Sequence, residues 1–231
     1  MFKQEIEKMG LESCYEDFED FKGRVLAKNK VMNLTAITED EEFNIKHFLD
    51  SLSLLKLEEI QGAKRVLDLG TGAGFPGIPL KIAKKDLDIT LLDSLKKRID
   101  FLNETIEDMG LEGIRGIHAR AEELSRKDDY REAFDLVTSR AVANLATLYE
   151  YCLPFVKVGG YMVAMKGPDI EGELKEGQAA LKALGGNLVE VKKVDLPQNI
   201  EHTLVLVKKI KTTPKKYPRA GGKPRKKPIG L

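Results

Sequence analysis

Arg65-Val66-Leu67-Asp68-Leu69-Gly70-Thr71-Gly72-Ala73-Gly74-Phe75-Pro76-Gly77 is the stretch that decides the fold. Its opening RVLDL is an apolar-rich run of strand length, the glycines then permit a tight turn, and Ile78–Lys84 begins a helix. Short apolar runs and amphipathic stretches alternate downstream. Strands are expected at Ile89–Leu92, Ile114–His118, Phe134–Ser139 and Tyr161–Lys166. Helices are expected over Lys96–Met109, with Gly110 at its C′ position, around Glu122, over Asn144–Val156 and over Ile170–Leu184. Leu188–Val194 and Thr203–Val207 lack a helix between them and should pair antiparallel at or near an edge. The alternation predicts an α/β protein with a doubly wound, mostly parallel seven-stranded sheet and one antiparallel strand.

The flanks differ from this core. Residues 1–60 read as a helical extension, with Tyr15, Phe18, Val25 and Leu26 near one face and Thr38 with Glu41 resembling a capping box. Residues 61–210 form the core, and residues 211–231 a basic arm rich in Pro, Gly and Lys. The prolines and glycines make that arm a poor helix or strand, so it is expected to be extended.

The chain has 231 residues and a formal net charge of +1, which by itself argues against a polyanionic partner. The distribution says otherwise. Ten of the 38 basic residues lie in Lys208–Leu231 and no acidic residue follows Glu201. Residues 1–207 therefore hold 28 basic against 37 acidic residues, a formal −9. Such asymmetry suggests an electrostatic partner for the basic end, and a phosphate backbone is the natural one, because neutralised phosphates release counterions. The longest apolar run, Tyr161–Met165, has five residues, against about 20 for a membrane span. The charged N-terminus lacks an apolar signal core. Cys14 and Cys152 exclude a disulfide framework and a cysteine zinc site, and suggest a reducing, cytoplasmic setting.

Strand, glycine turn and helix form a nucleoside-binding context, and Gly72, Gly74 and Gly77 satisfy G-x-G-x-x-G. Asp93 ends the second strand nineteen residues after Gly74, where a carboxylate can accept from ribose hydroxyls. Pro76 and Pro79 remove two N–H donors that a pyrophosphate would want. S-adenosylmethionine has a ribose and no phosphate, so the loop favours it over NAD.

In order along the chain, HFLDSLSLL, VLDLGTGAGFPGIPLKI, LLDSLKKRIDFL, ARAEEL, FDLVTSRAVA, MVAMKG and TPKKYPRAGGKPRKKPIGL closely resemble the bacterial 16S ribosomal RNA guanine-N7 methyltransferase family, also called glucose-inhibited division protein B. The resemblance runs from about residue 29 to the end. It implies a Rossmann-like class I methyltransferase using S-adenosyl-L-methionine, and 16S ribosomal RNA or a small-subunit precursor as partner. It further implies cofactor contacts at Gly70, Gly72, Gly74 and Phe75, ribose binding by Asp93, adenine near Ala121 and Glu122, and a cofactor-proximal Arg140. A monomer with no membrane partner is expected.

Guanine N7 carries an unprotonated lone pair, so its methylation needs alignment and no general base. The lack of a nucleophile elbow, H-E-x-x-H or P-loop accords with that. A cation should meet guanine O6 or a neighbouring phosphate, and Arg120, Arg140 and Lys166 at strand ends are the candidates. His47, Asp50 and Ser51 share a helical face and either shape the pocket mouth or orient the helix. Asp68 either reaches the cofactor's amino end or caps the turn. His118 and His202 read as structural, Cys14 and Cys152 as unreactive, and Phe2, Tyr15, Phe18 and Phe21 as packing. The competing classes are an NAD-linked oxidoreductase, for which no Tyr-x-x-x-Lys dyad is evident beside strands four and five, and a non-catalytic RNA-binding assembly factor. Removing residues 212–231 is expected to weaken RNA binding and leave cofactor affinity nearly intact.

Overall fold

The computed structural model describes residues 1–140 and 143–231; Ala141 and Val142, within the FDLVTSRAVA stretch, lie outside the described residues. β1 (Arg65–Leu69) is flanked in parallel by β2 (Asp88–Asp93) and β4 (Phe134–Arg140). β3 (Ile114–His118) extends the β2 side. β5 (Val156–Lys166) pairs in parallel with β4, and β7 (Ile200–Lys209) and β6 (Gly186–Leu196) complete the order β3-β2-β1-β4-β5-β7-β6. β7 runs antiparallel to both β5 and β6, so it is the one antiparallel strand. The expected α/β architecture is the observed one.

Chain order reverses direction at β1 and β4. In such sheets ligands bind beyond the carboxyl ends of the strands at that switch point. The loops after β1, β2, β3 and β4 all end there.

Several element boundaries differ from expectation. The helix expected over Asn144–Val156 runs from Leu145 to Cys152, with the Asn144 side chain accepting from Thr147 N. Pro154 cannot continue the i to i−4 ladder, and Val156 instead opens β5 opposite Phe134. Glu39, and not Thr38, caps the next helical stretch, accepting from the backbone N–H groups of Glu41 and Glu42. Gly110 stands at φ 61° after the helix Lys96–Asp108, and the bonds Gly110 N to Glu107 O and Leu111 N to Ile106 O close it as a Schellman motif.

The N-terminal extension is held by aromatic packing. Phe2, Phe18, Phe21, Phe43 and Phe48 are buried and in mutual contact, and Phe21 meets Phe75 of the glycine loop at 5.3 Å between ring centroids. Each such side chain contributes roughly 1.5–3 kcal/mol by leaving water. The extension therefore rests directly on the loop expected to serve the site.

The basic segment expected to be extended is folded onto the body. Arg131 donates to the carbonyls of Thr213 and Tyr217, Arg126 to that of Pro218, and the Thr147 hydroxyl to that of Pro224. Arg219 closes on Glu150, a fully buried carboxylate, through its backbone N–H, Nε and Nη2. Lys223–Lys226 forms a single helical turn with Pro224 buried. Prolines and glycines exclude long regular elements, but they do not exclude an irregular path whose carbonyls are satisfied by side chains of the body.

Candidate active site

The glycine loop is latched from below. Asp68 Oδ2 accepts from the Thr71 hydroxyl at 2.6 Å and from Gly77 N at 2.9 Å. Asp68 is fully buried and lines neither of the two cavities described below, and its hydrogen bonds are those of the turn cap, one of its two expected roles. Burial pushes its carboxyl up to about 6 against the pull of those two hydrogen bonds. Gly77 permits the close approach of helix to sheet, since a Cβ there would stand 2.2 Å from Leu91 Cδ2. Gly70, Gly72 and Gly74 all adopt positive φ, which bends the backbone across the strand end.

A cavity of about 480 Å³ opens above this loop. Gly70, Asp93, Arg120, Ala121, Glu122 and Arg140 are among its walls, at or just beyond the carboxyl ends of β1, β2, β3 and β4. Gly72, Gly74 and Phe75 do not line it. Gly72 N donates to Asp93 Oδ2 at 3.1 Å, Gly74 packs on Ile78 and Leu102, and Phe75 is buried beneath Arg140. Asp93 Oδ1 also accepts from Leu95 N at 2.9 Å and Oδ2 from Arg98 at 3.3 Å, which leaves Oδ1 with capacity for one further donor. Sequence reasoning missed Arg98, Tyr151, Gly222, Arg225 and Lys226, which also line this space. For Arg98 its place five residues after Asp93 was a usable signal. The other four come from helix Leu145–Cys152 and the C-terminal segment, and no local pattern announces them.

A second cavity of about 280 Å³ lies on the other side of Arg140, walled by Asp50, Met165, Lys166 and His202 among others. Arg140 is the one candidate residue common to both. Its Nη1 donates to Lys46 O and to Asp50 Oδ2, both at 2.9 Å, and its Nη2 to His47 Nδ1 at 3.1 Å. Its guanidinium carbon stands 5.1 Å from the centroid of Phe75, on which the His47 ring stacks at 4.5 Å. Arginine has no acceptor, so His47 Nδ1 must be the bare nitrogen and Nε2–H faces Thr35 Oγ1 at 2.8 Å. Burial, reinforced by the Arg140 charge, lowers His47 to about 3, so its ring is neutral. Asp50 also contacts His202 Nδ1. Burial would raise Asp50, but His202 and Arg140 outweigh it and hold the carboxylate below its ordinary value.

Both open readings of the HFLDS stretch are thereby divided among its residues. Asp50 shapes a cavity, His47 positions Arg140, and Ser51 donates to His47 O within its own helix. The backbone over Asn44–Leu49 is π-helical, an irregularity common where a side chain must be aimed. Lys166 donates to Ala143 O at 2.9 Å and pairs with Glu173 at 2.8 Å, so it braces the chain after β4 while lining the second cavity. Arg120 is exposed at the mouth of the first cavity. His118 lies on the edge strand β3, away from His202.

Comparison with known proteins bears on what these cavities serve. Residues 14–203 match the family described as GidB, rRNA small subunit methyltransferase G. The chain belongs to that family. A ribosomal RNA small subunit methyltransferase G of Lachnoclostridium phytofermentans is 55% identical over 215 residues, 93% of this chain and 89% of that protein. That of Clostridium novyi strain NT is 50% identical over 216 residues, with 93% and 89% covered. Among solved structures, TrmN from Thermus thermophilus superposes with a TM-score of 0.53 at 22% identity, over 69% of this chain and 48% of that one. M. jannaschii TYW2 in complex with AdoMet gives 0.52 at 16%, over 70% and 77%. Those two likenesses speak for the fold alone. As a member of the family the chain is a methyltransferase, and Arg140 and the glycine loop lie within the matched residues.

Proposed function

We propose that this chain transfers the methyl group of S-adenosylmethionine to N7 of a guanine in 16S ribosomal RNA, with the cofactor in the larger cavity and the guanine in the smaller. The observation that carries this is Arg140, which walls both cavities and is clamped by Asp50 and His47. The larger cavity lies within the roughly 300–1,000 Å³ common for ligand sites, and its residues suit the cofactor. Asp93 would accept from the ribose hydroxyls, Gly70 allows close backbone approach, and Ala121 and Glu122 stand where the adenine edge would be read.

When bound, S-adenosylmethionine supplies a methyl carbon made electrophilic by its sulfonium. The protein then has to hold guanine N7 in line with that carbon. No residue need take a proton, because N7 has none to lose. The titratable groups agree with this: His47 is neutral and already bonded on both nitrogens, and Asp50 is engaged by Arg140 and His202. Arg140 and Lys166 border the smaller cavity, where a cation would meet guanine O6 without covering N7. Among the described residues no helix is long and apolar enough to cross a membrane. The reading places the protein in the cytoplasm, acting as a monomer on 16S RNA or a small-subunit precursor.

The test is chemical mapping of N7-methylguanine in 16S RNA, by strand cleavage at the modified base, with and without the purified protein. One protein-dependent cleavage site is expected. Methyl incorporation at another atom, or none, would overturn the assignment.

A further inference from the structure

The cation balance of the larger cavity leaves charges unexplained by a cofactor site. Five basic residues line it, namely Arg98, Arg120, Arg140, Arg225 and Lys226. Arg98 is paired with Asp93 and Arg140 with Asp50. Among the described residues, Arg120, Arg225 and Lys226 take part in no ion pair, and all three are exposed. Against them the wall offers one further carboxylate, Glu122.

S-adenosylmethionine carries a sulfonium and an ammonium against one carboxylate, so it is itself a net cation. Three unpaired cations around a cationic ligand repel it. An anion at the mouth would offset that repulsion.

These charges are held in place. The pair of Arg219 with the fully buried Glu150 and the Thr147 bond to Pro224 O pin the chain before Arg225 and Lys226. The rim is also compact, since Arg120, Arg225, Lys226 and the half-buried Tyr151 all line the one opening. Arg120 comes from the loop after β3 and the other two from the C-terminal segment, so the two elements converge on one opening.

We propose that Arg120, Arg225 and Lys226 form a seat for an RNA backbone phosphate at the mouth of the cofactor cavity, so that RNA binding and retention of the cationic cofactor reinforce each other. This rests on the assignment of that cavity to S-adenosylmethionine. A phosphate in the seat cancels the repulsion felt by the sulfonium, and by linkage the bound cofactor strengthens phosphate binding by the same factor. S-adenosylhomocysteine has lost the sulfonium charge and is neutral overall, so it gains far less from the phosphate. Methyl transfer moves the positive charge from the cofactor to the guanine, so the seat favours unmethylated RNA with unreacted cofactor over unmethylated RNA with spent cofactor.

The experiment uses the full-length protein and oligouridylate, which supplies phosphates without a target guanine. Calorimetry would give the affinities for S-adenosylmethionine and S-adenosylhomocysteine with and without the oligonucleotide. Oligouridylate should tighten S-adenosylmethionine about five-fold or more, within the usual range of coupling between sites, and change S-adenosylhomocysteine by less than about two-fold. R225Q/K226Q and, separately, R120Q should diminish that selective gain and lower the salt slope of RNA binding by about one per phosphate contact removed. K215Q/K216Q, on the same segment but away from the cavity, should keep both. Equal effects on the two ligands, no effect, or an undiminished gain in R225Q/K226Q would overturn the proposal. Absence of binding by either ligand under both conditions would instead sink the cofactor assignment on which it stands.

Discussion

Asp50 Oδ2 accepts from Arg140 Nη1 at 2.9 Å across ninety residues of sequence, joining the helical extension to the carboxyl end of β4. The same carboxylate holds His202 from β7 on its other oxygen. One buried anion thus sets the positions of two basic side chains on a cavity wall.

Removing that anion should be costly twice over. Asp50→Ala leaves Arg140 and His202 without their carboxylate, and breaking one partner of a buried pair costs about 3–5 kcal/mol. Chemical denaturation should show a loss of this order, and methyl transfer should fall in the fraction that remains folded. Retention of full activity in D50A would mean that Arg140 does not need its clamp.

Opposed pH effects are expected from two buried groups. His47, lowered to about 3, stays neutral in the folded state while the unfolded ring takes a proton near 6.5. Its contribution to stability is present above about 6.5 and is lost as pH falls toward 3. Asp68 has the reverse sign: its folded value is raised to about 6, so its contribution is full below about 4 and is lost as pH rises through 6. Between pH 4 and 6 the two slopes oppose each other. Relative to the wild type, H47Q should gain stability as pH falls through that window and D68N should lose it, read by denaturation at several pH values.

The glycine positions are separable by a pair of alanine variants. G77A would place Cβ 2.2 Å from Leu91 Cδ2 and 2.9 Å from Asp68 Oδ2, and should destabilise by about 1–3 kcal/mol or more. G23A, in the exposed middle of the helix Tyr15–Met32 with nothing within 4 Å of a new Cβ, should stabilise by about 0.5–1 kcal/mol. Thermal unfolding of both variants checks the contrast.

Asp93→Ala should weaken S-adenosylmethionine by about 1–3 kcal/mol through the lost ribose acceptor. Because Asp93 also accepts from Gly72 N and Leu95 N, the variant should lose some thermal stability as well. Unchanged cofactor affinity by calorimetry would remove Asp93 from the ribose role.

Deleting residues 212–231 is no longer expected to spare cofactor affinity. It removes Arg219 from the fully buried Glu150, Thr213 from Lys209, and three residues from the cavity wall. Stranding Glu150 alone costs about 3–5 kcal/mol. The truncated chain should melt at lower temperature and bind S-adenosylmethionine more weakly, and R219A should reproduce most of the first effect.

What the sequence determined by itself is local and periodic. RVLDL followed by glycines at 70, 72, 74 and 77 states a strand, a turn and a helix within thirteen residues, and the repetition of strand and helix states the sheet. Asp93, Arg120, Arg140 and Lys166 were legible because each sits at or just beyond a strand end, and strand ends are where such sheets bind ligands, whereas Ala121 and Glu122 were expected on the family resemblance. The boundaries at Cys152 and Glu39 were less legible, because packing, not propensity, decides where a ladder stops.

Only the tertiary structure decided which distant residues meet. Asp50, Arg140 and His202 come from three elements, and no period or spacing links them. The C-terminal segment carried a clear charge signal and a misleading conformational one. Its prolines and glycines forbid regular structure, yet Glu150, Arg126, Arg131 and Thr147 satisfy its backbone and charge along an irregular path to the cavity. Composition reports what a segment cannot form with itself; what it forms with the rest of the chain depends on contacts made across long separations after the sheet is wound.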